Sequence, residues 1–135
     1  MPTPTVFNSF TEAVAEKVHN LGSDTLKVAL TNTAPSASNT VLANITQIAG
    51  TGGYAPVTAV QSGSSQSGGV YSLALGAVTF TASGADFDSF RYVVLYNDTA
   101  TNDELICWYD RGISYALPNG QSFTIAAGTW LQNSA

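Results

Sequence analysis

The hydrophobic positions of the chain change their period once, near residue 22. Before it, Phe7, Phe10, Val14, Val18 and Leu21 recur at spacings of three and four, the stripe of one helix face. Ser9 stands three residues before Glu12, as in a capping box, and Gly22 follows where a left-handed C-cap belongs. The spacing predicts a helix over Ser9–Leu21, about 20 Å long at 1.5 Å per residue, with its stripe packed on the face of a sheet. Beyond residue 22 the period is two. Leu26, Val28 and Leu30 alternate with Lys27, Ala29 and Thr31, the pattern of a half-buried strand.

Strand signals then recur to the end of the chain. Thr33–Asn39 reads as a polar turn around Pro35, and Val41–Ala49 fits a short helix or a strand equally well. Tyr54–Val60 reads as a short edge strand, marked by Pro56. Gln61–Gly69 is Ser, Gly and Gln throughout, which predicts a flexible loop. Val70–Leu75 and Ala77–Ala82 are two further strands. Phe90–Tyr96 is almost wholly β-branched or aromatic and is expected at the centre of a sheet, with Glu104–Asp110 pairing back on it. Pro118-Asn119-Gly120 is a turn before a final strand at Gln121–Ala127, with Phe123 and Ile125 facing inward. About six to eight strands at roughly ten-residue spacing predict a mainly β protein: an antiparallel β-sandwich or barrel with one N-terminal α-helix. Residues 1–6, with Pro2 and Pro4, read as an extended arm, and residues 7–135 as a single β-rich domain.

Charge changes this picture more than length does. Only 10% of the 135 residues are charged, against about 25% in an average soluble domain. Such a surface suits a subunit that docks on others. Lys17, Lys27, Arg91 and Arg111 are the sole Lys and Arg residues, and the net charge is −5. Phosphate backbones and anionic lipid surfaces call for more basic residues, so neither nucleic acid nor membrane is an expected partner. No run approaches 18 apolar residues, and no basic segment precedes an apolar one at the N-terminus, so neither a membrane span nor a signal peptide is expected. Cys107 is alone and reads as a small buried hydrophobe.

The candidates for chemistry are sparse, and no catalytic residue, metal site or cofactor is expected. His19 lacks the second histidine or cysteine that a metal site or triad needs. Gly50-Thr-Gly-Gly lacks the Gly-Lys-Ser/Thr of a phosphate loop. Asp86 with Asp88, and Asp98 with Asp103 and Glu104, form neither a complete calcium loop nor a glycosidase pair, and read as turn residues. Tyr92, Tyr96, Trp108, Tyr109, Tyr115 and Trp130 are enough aromatics for a sugar-binding face, though most fall on predicted strands. Trp130, on a short tail with Leu131, reads as an interface anchor. Together with Pro2, Pro4 and Val6 of the arm, it makes up the candidate interface.

Three stretches resemble, in this order, a widespread family of small virion proteins of tailed bacteriophages. They are Lys17-Val-His-Asn-Leu-Gly-Ser-Asp-Thr-Leu-Lys-Val-Ala-Leu-Thr-Asn-Thr-Ala-Pro, Phe90-Arg-Tyr-Val-Val-Leu-Tyr-Asn-Asp-Thr and Ile106-Cys-Trp-Tyr-Asp-Arg-Gly. The resemblance implies a non-enzymatic particle component, assembled in the host bacterial cytoplasm and residing in the virion. The expected role is capsid decoration, as a cement protein reinforcing the head shell. Its expected partners are the major capsid protein and further copies of itself, a trimer above all. The alternatives are a tail or head–tail connector component and, from a different class, a glycan-binding β-sandwich for host recognition.

Overall fold

In the computed structural model, residues 2–134 are described, and Met1 of the arm and Ala135 lie outside them. The protein is mainly β, with every strand pairing antiparallel and one short N-terminal helix. Ten strands are present: β1 (Thr5–Val6), β2 (Leu26–Thr31), β3 (Val57–Ala59), β4 (Gln61–Ser67), β5 (Val70–Leu75), β6 (Val78–Thr81), β7 (Phe90–Asn97), β8 (Leu105–Tyr115), β9 (Ser122–Ile125) and β10 (Gly128–Ser134). They form a five-stranded sheet in the order β1-β8-β7-β2-β3, a three-stranded sheet β10-β5-β4 and the pair β6-β9. Among the described residues no closed barrel forms.

The central strands of the five-stranded sheet are buried on both faces, which explains why β2 and β7 are apolar almost throughout. One face supplies Leu26, Val28, Leu30, Val93 and Leu95 to the main core. They meet Leu73 and Leu75 of β5, Phe80 of β6, Ile125 of β9 and Trp130 of β10, so the two smaller sheets cover this face as in a sandwich. The other face carries Ala29, Val94, Tyr96 and Leu105 beneath Phe7 and Ile45, with Leu42 and Trp108 at the margin. The ambiguous segment Val41–Ala49 is thus a lid on the second face, with one 3-10 turn at Leu42–Asn44.

The helix α1 spans Phe10–Ala15, six residues instead of thirteen. Ser9 precedes it in helical backbone geometry and makes no side-chain cap, so the capping box does not form. The helix ends in a Schellman arrangement at Lys17, not at Gly22. Lys17 has φ 66°, its amide bonds the Val14 carbonyl, and the Val18 amide reaches the Ala13 carbonyl at 2.8 Å. Phe7 and Phe10, adjacent on the predicted stripe, serve the two different cores on opposite sides of the sheet. Val14, next on the predicted stripe, is 43% exposed, so the stripe as a whole does not pack on one face of the sheet.

Gln61–Ser67 is a strand, not a flexible loop. It pairs with β5 from Gln61↔Leu75 to Ser67↔Val70. Gly68 and Gly69, with φ of 58° and 84°, supply the two positive dihedrals of a type I′ turn, which suits the twist of a two-residue hairpin. The pairing is carried by backbone hydrogen bonds, so polar side chains do not prevent it. Gln61 adds a tie to the rest of the fold, its Nε2 donating to the carbonyls of Leu21 at 2.9 Å and Asp24 at 2.6 Å. The final segment also differs from expectation. The chain forms β9, then turns into β10, which lines the far side of β5.

Candidate functional site

The predicted interface residues are brought together, but not as two free arms. Pro2, Pro4, Val6, Trp130 and Leu131 border one groove of 390 Å³ with Thr3, Thr129 and Gln132. The N-terminal half of this groove is accessible: Pro2 is exposed, Pro4 half-buried, and Val6 37% exposed. The C-terminal half is not. Trp130 and Leu131 are 2% and 3% exposed, both in the main core, with the Trp130 ring 5.6 Å from that of Tyr109. Consecutive residues of a strand normally face opposite ways. Here the register shifts between Thr129 and Leu131, and this bulge lets Trp130 and Leu131 both turn inward. They are therefore core residues of their own chain and not anchors for a neighbour.

The arm is also partly built into the fold. Thr5 and Val6 pair with Trp108 and Cys107, and the Phe7 amide bonds the Ile106 carbonyl at 3.1 Å. With Phe7 pointing its amide at β8, the alternation of a strand turns the backbone of Val6 outward. Pro2 and Pro4 precede this short edge strand and have no N–H to donate, which discourages another strand from adding there.

The six aromatics do not share a face. Tyr96 belongs to the second core, beside Trp108, while Tyr109 and Trp130 lie in the main core. Tyr92 is half-buried near Arg91, whose guanidinium carbon is 5.5 Å from the ring centroid. Tyr115 stands with Phe90 and Phe123 around Arg111, at 5.7, 5.1 and 4.8 Å from its guanidinium carbon. That arrangement fills the aromatic faces with a cation of the chain itself.

The carboxylates act locally. Asp86 accepts from the Asn119 amide at 2.7 Å and holds the Pro118–Gly120 turn. Asp98 lies 3.4 Å from Lys27, and Glu104 accepts from the Asn102 amide. Asp110 and Arg91 form a two-pronged pair at 2.7 and 3.0 Å, and that hydrogen bonding holds the Asp110 carboxyl below its usual range. Among the described residues, no group of three or more His, Cys, Asp or Glu is placed to hold a metal ion. Cys107 is fully buried, and desolvation pushes its thiol up to about 12, far from a reactive thiolate.

His19 is the most constrained polar group, and its setting was invisible in sequence because its partner lies 78 residues away. The Asn97 side-chain oxygen accepts from the amides of Thr99 at 2.9 Å and Ala100 at 3.2 Å. Its Nδ2 is thereby left to donate, to Asp24 Oδ2 at 2.7 Å and to His19 Nδ1 at 3.0 Å. An accepting Nδ1 puts the histidine proton on Nε2. Nε2 is buried without a partner among the described residues, and the ring stacks on Phe10 at 5.4 Å. Burial pushes the imidazole pKa below its ordinary 6.5, against the opposing charges of Glu104 and Asp24. Protonation at Nδ1 would also set two donors against each other across the Asn97 contact.

The linkage follows in sign. The unfolded chain takes up the proton near pH 6.5 and the folded chain resists it until lower pH. Stability is therefore expected to be level above about pH 6.5 and to fall as the pH drops below it. Thermal melting from about pH 7.5 to 5.5 should show the decline, and His19→Gln should flatten it across that range. A wild-type midpoint that stays constant over this range would contradict the assignment.

No protein-family model, no curated protein and no solved structure matches the chain.

Proposed function

We propose that this chain is a non-enzymatic structural protein of a tailed-bacteriophage virion, a capsid decoration or cement protein that self-associates and seats on the major capsid protein. The observation that carries this reading is where the three virion-like stretches fall. They contain β2, β7 and most of β8, three neighbouring strands of the five-stranded sheet. The resemblance extends over most of the chain, from about Phe7 to Phe123, and its three stretches share neighbouring strands of one sheet. The low charge supports an assembled existence, and the exposed Pro2 and Val6 at the sheet margin offer apolar surface to a neighbour.

Because Trp130 and Leu131 are buried in the core, the proposed shell contact is made by the N-terminal segment. Deleting residues 1–4 leaves β1 and both cores intact, so stability is expected to change by no more than about 0.5 kcal/mol. Val6→Asp places a charge on the exposed rim with a similarly small effect on folding. Both changes should weaken co-sedimentation with undecorated capsids. Shell binding that survives both would remove the arm from the interface. A full chain that ignores capsids altogether would move the protein from the head to the tail or connector.

A further inference from the structure

We infer that β4 is a homotypic docking edge, on which a second copy of this chain adds its own β4 in antiparallel register about a two-fold axis at Ser65. An unpaired strand edge is a template for another strand, and proteins usually blunt it with prolines, charges or a cover. Most other edges here are proline-flanked, charged or short, and β6 and β9, which pair only with each other, are four residues each. β1 is two residues long and follows Pro2 and Pro4, and β3 is three residues long and follows Pro56. Where β8 continues past β1 it carries Asp110 and Arg111, and β10 runs beside the N-terminal segment along the groove already described. β4 has seven residues, with neither proline nor charge. Indeed no Asp, Glu, Lys or Arg occurs between Lys27 and Asp86, so β4 and β5 themselves bring no like charges to the seam, while Lys17 lines a pocket with Ser64 and Tyr71 beside it.

The register follows from the turn. In a two-residue hairpin the flanking residues, Ser67 and Val70, exchange both backbone hydrogen bonds. Ser67 and Ser65 therefore point their amides and carbonyls at β5, while Ser64 and Gln66 point theirs outward. A two-fold axis at Ser65 sets Ser64 against Gln66 of the second copy, and Gln66 against its Ser64. Each pair matches an outward donor to an outward acceptor. Ser65 meets its own counterpart at a non-hydrogen-bonded position, where Cα atoms approach to about 4.5 Å. The Ser65 side chain lies opposite Ser72, whereas neighbouring Ser64 lies opposite the buried Leu73, so Ser65 faces away from the core. The result is one six-stranded sheet across two chains, an isologous contact.

This surface deepens the assembly reading by naming one partner, and its test uses the purified full-length chain without capsids. The native chain is expected to sediment at twice the single-chain mass, and Ser65→Lys, which sets two ammonium groups side by side, to halve that mass with the far-UV spectrum unchanged. Ser65→Cys should crosslink into a covalent pair under mild oxidation at least tenfold faster than Asn102→Cys, an exposed-loop control; native Cys107 is buried and does not compete. A native chain that sediments as a single copy or as a strict trimer overturns the proposal, as does crosslinking no faster than the control. Shell binding by a chain shown to be monomeric would leave the decoration reading standing while this one fell.

Discussion

Trp130→Ala is expected to cost about 3–5 kcal/mol of stability, a large part of the total for a domain of this size. Trp130 is 2% exposed, packs on Tyr109 and belongs to the main core, so its removal leaves a cavity there. The same side chain carries an internal cost, because its indole Nε1 is buried with no hydrogen-bond partner among the described residues. An unsatisfied buried donor costs about 1–3 kcal/mol. Trp130→Phe loses volume but also removes that donor, so its cost should be well under half that of the alanine variant. Urea titrations of the three chains would measure both differences. If Trp130→Ala melts like the native chain, the buried placement of β10 is wrong and the tail returns as an interface candidate.

Gly52→Ala should be nearly as damaging, for a backbone reason. Gly52 has φ 73°, where an L-residue is strained by roughly 1–2 kcal/mol. A Cβ there would also sit 2.7 Å from the Ala85 carbonyl oxygen and 2.9 Å from Phe87 Cδ1. Backbone cannot swing aside as a side-chain tip can, and overpacking of this kind costs roughly 1–3 kcal/mol. The sum is a loss of roughly 2–5 kcal/mol. Gly84→Ala is the matched control, with φ 83° and open space around the added carbon, so it bears the dihedral strain alone. Equal melting points for the two variants would show that the Gly52 contact with the 83–87 segment is not tight. The Gly50-Thr-Gly-Gly run is thus a packing device: Gly52 lets the chain pass under Phe87, and its carbonyl accepts from the Ser83 amide at 2.9 Å.

The sequence by itself determined the mainly β architecture and most of its strands. β2, β5, β6, β7 and β8 were legible because their apolar positions recur with the period of a strand, or fill it when both faces are covered, and local side-chain chemistry reports that directly. The turn at Pro118–Gly120 and the edge strand at β3 were legible for the same local reason. Three features were decided only by tertiary structure. The stripe from Phe7 to Leu21 fits one helix, yet Phe7 and Phe10 belong to cores on opposite sides of a sheet formed by residues far along the chain. Gln61–Ser67 has no strand pattern, because its pairing is made by backbone groups that every sequence carries, and only the nearness of β5 calls them into use. Trp130 and Leu131 cannot both face inward in a regular strand. The bulge that permits it forms where β10 meets β5, so a tail that reads as free surface is closed into the core by a neighbour 60 residues back. His19 and Asn97 share that cause, since a contact between distant residues leaves no periodic trace in either segment. Periodicity records which face of an element is apolar; which element covers that face is settled only when the whole chain has packed.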